Sequence, residues 1–269
     1  MTGPRWVAGT KFNLISARSN TGRMILDVAY VKSNEAAVAI ESLRSLKPYC
    51  PGAQACVWDM ALRGVHLQII LRELGWLPVV RVADKTHTKV RGKSVAYQDK
   101  FVHVENQTVT GSDGLARTVE IYAKAGAIGL AELDETGGQH FVPLKPGTIR
   151  RRVDKCGFRW YREYVLPETY GGSVVTVRLH GDANDEKRGF NRAENVRAIP
   201  AGTPDFNRLH VLRSDAESIN RGLEDTLFLN RAGSLGWRRQ RLELLGYALL
   251  VNSLTLARHR AREPVPIAA

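Results

Sequence analysis

DFNRLHVLRSDAESINRGLEDTLF, Asp205 to Phe228, is the stretch on which the reading of this chain turns. Leu209, Leu212, Ala216, Ile219, Leu223 and Leu227 recur at three- and four-residue spacing, which lays them along one side of a single amphipathic helix. Pro204 and Asp205 suit its first turn. On another face Arg213, Glu217, Arg221 and Glu224 stand about one turn apart, holding a carboxylate between guanidinium groups at i−4 and i+4. Taken alone, such a face is a solvated row of ion pairs.

Upstream of this helix the chain changes character twice. Lys11 to Arg18, KFNLISAR, and Met24 to Val31, MILDVAYV, read as strands joined by the turn SNTGR. Ser33 or Asn34 then caps a helix, NEAAVAIESLRSLK, that stops near Pro48. QACVWD, Gln54 to Asp59, reads as a short buried parallel strand ending on a carboxylate. MALRGVHLQIILRELG follows as a helix closed by Gly75, and WLPVVRV as another buried strand. From about Lys85 to Pro200 short β-like runs alternate with glycine turns and no amphipathic helix interrupts them: FVHVEN, RTVEIYAKA, IGLAEL, REYVL and SVVTVRLHG. HGDAND, around Asp182 and Asp185, reads as a turn, without the spacing of a calcium loop. The last helix, about Trp237 to Ala257, is expected to bury Leu242, Leu245, Leu249 and Leu256.

With 269 residues, 43% of them hydrophobic, the chain is long enough for a substantial core. Its formal charge of +12 and pI near 9.9 point to a polyanionic partner, nucleic acid first. The sequence has no apolar run of about 18 residues, so a membrane partner is not expected, and the N-terminal residues carry neither a signal-peptide nor a lipidation pattern. Cys50, Cys56 and Cys156 are odd in number and lack C-x-x-C spacing, which argues against a disulfide framework or a zinc site and for a reducing, cytoplasmic setting. Ile149 to Tyr164, IRRRVDKCGFRWYREY, interleaves Arg150, Arg151, Arg152, Lys155, Arg159 and Arg162 with Phe158, Trp160, Tyr161 and Tyr164. Guanidinium groups neutralise phosphates and aromatic faces stack on unpaired bases, the combination a DNA-end clamp requires. A basic edge strand with its aromatics packed inward has the same composition. Arg238, Arg239 and Arg241 open the last helix, where cations oppose the helix dipole, so phosphate contact is the role that suits them.

The helix Asp205 to Phe228, with the segment RAGSLGWRRQRLELLGYALLVNSLTLARHR that follows it, resembles the C-terminal end of DDE-class transposases of bacterial insertion sequences. In one large group of these the helix bearing the last catalytic carboxylate reads Tyr, two residues, Arg, three residues, Glu, six residues, Lys. Here that frame holds His210, Arg213, Glu217 and Glu224: the Arg and Glu match, His210 stands for the Tyr and Glu224 for the Lys. The resemblance implies an α/β fold, a ribonuclease-H-like mixed sheet flanked by helices with an inserted β-rich subdomain. Residues 1–85 would form the first part of the core, 86–200 the insertion, 201–260 the C-terminal helices and 261–269 a tail. It places Asp59 at the tip of the fourth core strand, where the family keeps its second carboxylate, and puts the strand with the first carboxylate ahead of Met1. Asp27 is the residue left for that first role.

What the resemblance implies for function is DNA cleavage and strand transfer at insertion-sequence ends, by a homo-oligomer assembled on those ends and with no small-molecule substrate. That chemistry uses two divalent ions about 3.5 to 4 Å apart, Mg²⁺ or Mn²⁺, held by hard oxygen ligands. Asp59 and Glu217 are the expected ligands, with Arg213 orienting Glu217. The alternative is a protein that binds element ends without cutting them. Without the core's first strand the KFNLISAR–MILDVAYV hairpin is left with an open edge, so the chain is expected either to be poorly soluble alone or to fill the gap with another segment such as residues 1–10.

Overall fold

The structure, a computed structural model, describes residues 10–82, 87–90, 93–96, 101–111, 114–133, 135, 138–228 and 233–262. The fold is mixed α/β with several small sheets. It divides into two compact units, Met1–Pro51 with Leu212–Ala269, and Gly52–Val211. The compositional boundaries at 85/86 and 200/201 both fall inside the second unit.

The first unit opens on the expected hairpin, β1 (Lys11–Ser19) with β2 (Gly22–Val31). Its register shifts at Leu26, because Ile15 pairs with Asp27 and Ser16 with Ile25. The extra residue puts Ile25 and Val28 on one face although they are three apart, where simple alternation would separate them. Helix α1 (Glu35–Leu46) is capped by Asn34, whose side chain accepts from the Ala37 N–H, and it buries Ala36, Ala39, Ile40 and Leu43. A 3₁₀ turn through Pro48 ends it.

The second unit begins with β3 (Ala55–Val57), which pairs in parallel with β4 (Leu77–Val79). Between them run helix α2 (Val65–Ile69) and a π-helical turn, Ile70–Leu74. The helix starts five residues later than the sequence suggests, since residues 60–64 form turns. Gly75 closes it with a left-handed φ of 69°, and a Cβ there would meet the Phe158 ring at 2.7 Å, so both conformation and space require glycine. Strands β5 (His87–Val90) and β6 (Lys93–Ala96) form a hairpin. Next comes a four-stranded antiparallel meander of β7 (Val102–Thr110), β8 (Ala116–Lys124), β9 (Ala127–Leu133) and β10 (Gln139–Pro143). A three-stranded sheet follows in the order β11 (Lys145–Asp154), β12 (Gly157–Val165), β13 (Val174–Arg178). The core between these strands holds Val104, Val119, Ile121, Ile128, Trp160, Tyr164, Val175, Val177 and Leu179.

Three short helices close the second unit: α3 (Ala183–Lys187), α4 (Arg192–Asn195) and α5 (Pro204–His210). Thr203 caps α5, with Pro204 in its first turn and Phe206 buried. The stretch 205–228 is thus not one uniform helix. A 3₁₀ turn, Val211–Arg213, separates α5 from α6 (Ser214–Leu223), a π-helical turn follows, and the boundary between the two units falls at 211/212. Tightening to three residues per turn rotates the stripe, so Ile219 and Leu223 are buried while Leu212 and Leu227 are exposed.

Helix α7 (Trp237–Arg262) returns the chain to the hairpin. It buries Leu244 and Ala248, with Tyr247 and Val251 beside them, against Ile25, Val28, Ile219 and Leu223. The expected face is rotated: Leu242 and Leu249 are 71% and 68% exposed, and Leu245 is exposed as well. Helical spacing fits both stripes, and polar groups decide between them. Asn252 donates to the Ile25 C=O and accepts from the Ile25 N–H, both at 2.8 Å. Thr255 Oγ1 donates to the Arg23 C=O at 3.1 Å and Arg241 Nε to the Val28 C=O at 3.1 Å. Side chains of α7 therefore occupy the backbone groups along the edge of β2 that β1 does not use. A helix face that satisfies a strand edge must point its neighbours, Leu244 and Ala248, at the sheet.

Candidate nucleic-acid interface

The basic run Ile149–Tyr164 becomes the β11–β12 hairpin, and strand alternation sorts it onto two faces. Arg151 pairs with Trp160 and Val153 with Phe158 on one face; Arg150 pairs with Tyr161 and Arg152 with Arg159 on the other. Trp160 is 7% exposed and its indole N–H donates to the Leu71 C=O at 3.0 Å, so its ring belongs to the core rather than to a stacking platform. Arg151 is likewise occupied: Nη1 donates to the Gly75 C=O at 2.9 Å, and its guanidinium lies over the Phe158 and Trp160 rings.

The opposite face carries Arg150, Arg152 and Arg159, all exposed. Arg150 and Arg152 stand beside Arg159, with Tyr161 between strands and Arg178 across from it on β13. Lys155 is exposed in the turn between β11 and β12. Arg150 contacts Glu163 at 2.6 Å, and Arg159 contacts Asp154. Asp154 also accepts from the Cys156 N–H at 2.7 Å and lies near Arg72; these donors hold its carboxyl below the usual range despite the opposing effect of burial. Half-exposed pairs of this kind are weak and exchange readily for a phosphate.

The second unit is braced by a buried charge cluster that Arg178 joins to this face. Burial acts against the charge on Asp185, yet Arg192, Arg178 and Arg188 hold its carboxyl below the usual range. Arg192 donates to it twice, at 2.7 and 2.9 Å, and reaches Glu105 at 2.8 Å. HGDAND is accordingly not a turn: Asp182 accepts from the Asn184 and Asp185 N–H groups in a reciprocal capping box that starts α3. The Asp182-x-x-Asp185 spacing is the sequence signal for it.

A cavity of about 210 Å³ opens beside β12 and β13, lined by Arg72, Arg159, Tyr161, Arg178, His180, Gly181 and Asp182. His180 follows the end of β13, its Nδ1 3.1 Å from the Trp160 N–H and 3.2 Å from the Trp160 C=O. Burial first, then the positive charges of Arg72, Arg178 and Arg159, push its pKa down to about 4. The ring is therefore neutral at pH 7.

The expected catalytic residues have other surroundings. Asp59 lies two residues past β3, exposed, with Oδ1 accepting from the Ala61 N–H at 2.8 Å as in an Asx-turn. Glu217 is on α6, 61% exposed, and contacts Arg213 at 2.5 Å. Asp59 belongs to the second unit and Glu217 to the first. Asp27 accepts from the N–H of its own neighbour Val28. Among the described residues no group of three or more His, Cys, Asp or Glu side chains is placed to hold a metal ion.

The buried carboxylate of α6 is Asp215, which sequence reasoning passed over. It takes Arg18 in a two-point contact, 2.8 Å from Nε and 2.5 Å from Nη2, with Arg23 3.9 Å away. The Arg18 hydrogen bond holds its carboxyl below the usual range. Its position four residues before Ile219, on the apolar side, was the available clue.

Arg238 and Arg239 are exposed at the start of α7, in the first unit. Arg238 lies over the Trp237 ring, which in turn stacks on Tyr30 with centroids 4.9 Å apart. Cys56 is buried and its thiol is pushed up to about 12, which leaves it unreactive. No described helix is long and apolar enough to cross a membrane. Comparison of the chain with protein-family models, curated proteins and solved structures finds no match.

Proposed function

We propose that this chain is a DNA-binding protein that engages the phosphate backbone through the outer face of the β11–β12 hairpin. One observation carries the reading: Arg150, Arg152 and Arg159 stand side by side on one exposed strand face, with Tyr161 among them and Lys155 at its tip. The charge of +12 supports the same partner. The resemblance to DDE transposases supplies the context: a ribonuclease-H-like relative that binds insertion-sequence ends as a homo-oligomer in the cytoplasm. Binding without cutting is the preferred form of this reading.

The test is the salt dependence of duplex binding. Replacing Arg150, Arg152 and Arg159 by alanine is expected to lower the slope of log K against log salt by about 0.9 for each phosphate that is no longer neutralised. Arg151→Ala should instead reduce stability and leave the slope unchanged, because that side chain holds Gly75 and the aromatic rings. An unchanged slope in the triple variant would remove the interface.

Cleavage is the second reading, favoured by the Arg213–Glu217 contact that the transposase pattern requires. It assigns Asp59 and Glu217 as ligands of Mg²⁺ or Mn²⁺. Plasmid nicking that depends on either ion and is abolished by Glu217→Gln would establish it; binding with no nicking supports the preferred form.

A further inference from the structure

We propose that the cavity beside β12 and β13 is a phosphate-binding pocket that seats one phosphoryl group at the end of the basic strand face. The inference deepens the DNA reading and rests on it for the source of the phosphate. Arg159, Tyr161 and Arg178 face the same side of the sheet as Arg150 and Arg152, so cavity and basic face are continuous. Three guanidinium groups come from three elements, Arg72 from the turn after α2, Arg159 from β12 and Arg178 from β13. At about 210 Å³ the cavity is smaller than sites that enclose whole organic ligands, and it suits a group of a few heavy atoms.

The acceptors at its wall are already occupied. Asp182 Oδ1 takes the Asn184 and Asp185 N–H groups and Oδ2 takes Arg178, and the Gly181 C=O accepts from Gln68. The donors are not all matched. Arg178 Nε–H is buried with no acceptor in the protein. The Tyr161 hydroxyl adds a donor at the same wall. A wall rich in donors and closed to further donors selects an anion with several oxygens, and clustered guanidinium groups favour phosphate.

The test is isothermal titration of the full chain with inorganic phosphate, then with short duplexes bearing either a 5′-phosphate or a 5′-hydroxyl. Saturable phosphate binding is expected. Arg159→Gln and Tyr161→Phe should each weaken it roughly tenfold, or about 1.4 kcal/mol, with thermal unfolding confirming that both variants are folded. Arg152→Gln should weaken duplex binding and leave inorganic phosphate unaffected. Tighter binding of the 5′-phosphorylated duplex identifies a strand terminus as the source. Equal binding of both duplexes, each weakened by Arg159→Gln, identifies a backbone phosphodiester. Duplex binding without phosphate binding, or phosphate binding that survives both pocket variants, overturns the pocket and leaves the DNA reading standing. Phosphate binding with no duplex binding supports the pocket and removes the DNA reading.

Discussion

His180 ties the stability of the β12–β13 end to pH. Its folded pKa of about 4 lies below the ordinary 6.5, so between those values the unfolded chain takes up a proton that the folded chain refuses. Stability from this residue is complete above pH 6.5 and declines as pH falls towards 4, by up to about 3 kcal/mol. Denaturant midpoints measured across that window should fall for the wild type and much less for His180→Asn. A second contrast at this scale separates two carboxylates of α6. Asp215→Asn breaks a largely buried two-point contact with Arg18 and is expected to cost about 1–3 kcal/mol. Glu217→Gln alters only an exposed pair and should stay within about 0.5 kcal/mol, as urea titration will show. Equal losses from both would mean that Glu217 has structural duties in solution that its exposure does not suggest.

Helix α7 takes the place of a neighbouring strand beside β2. A strand edge left bare inside a fold strands N–H and C=O groups at about 1–3 kcal/mol each. Asn252, with one acceptor and one donor, matches the N–H and C=O of a single residue, Ile25, as a partner strand would. Asn252→Ala should therefore cost about 2–4 kcal/mol, more than an exposed helix position allows. Leu244→Ala should cost about 2–5 kcal/mol and Leu242→Ala less than about 0.5. Similar costs for the two leucines would restore the face that spacing alone suggests. Gly222 belongs to the same contact, because a Cβ there would lie 2.7 Å from the Tyr247 hydroxyl, which donates to the Ile219 C=O. Substitution by alanine should separate α6 from α7 and expose Ile219 to amide exchange.

At the scale of the whole molecule the first unit is assembled from the two ends of the chain and the second is continuous in sequence. Residues 52–211 contain their own sheets, core and charge cluster, so that segment is expected to unfold cooperatively when made alone. A chain ending at 211 lacks α6 and α7, and with them Ile219, Leu223, Leu244, Ala248 and the groups that occupy the β2 edge. Its hairpin amides, Ile25 foremost, should lose their protection in hydrogen exchange while those of β12 keep it. Retained protection at Ile25 would show that the hairpin and α1 stand without the C-terminal helices.

The sequence by itself determined the elements whose signals are local. The β1–β2 hairpin follows from alternation around a turn, α1 from its Asn34 cap and apolar period, and the parallel β3–β4 pair from two short apolar runs around a helix. The same sequence left open every choice that depends on what an element packs against. Helical spacing allowed two stripes on α7, and hydrogen bonds to β2 selected the one holding Leu244. Composition placed Trp160 among the basic residues, and the strand pleat turned it into the core while turning Arg150, Arg152 and Arg159 outward. The acidic residues of α6 looked alike in sequence, and only the proximity of Arg18, nearly two hundred positions away, made Asp215 the buried one. Periodicity is a property of one segment, whereas a face, a buried charge and a pocket are properties of two or more segments brought together, and that meeting is decided by tertiary packing.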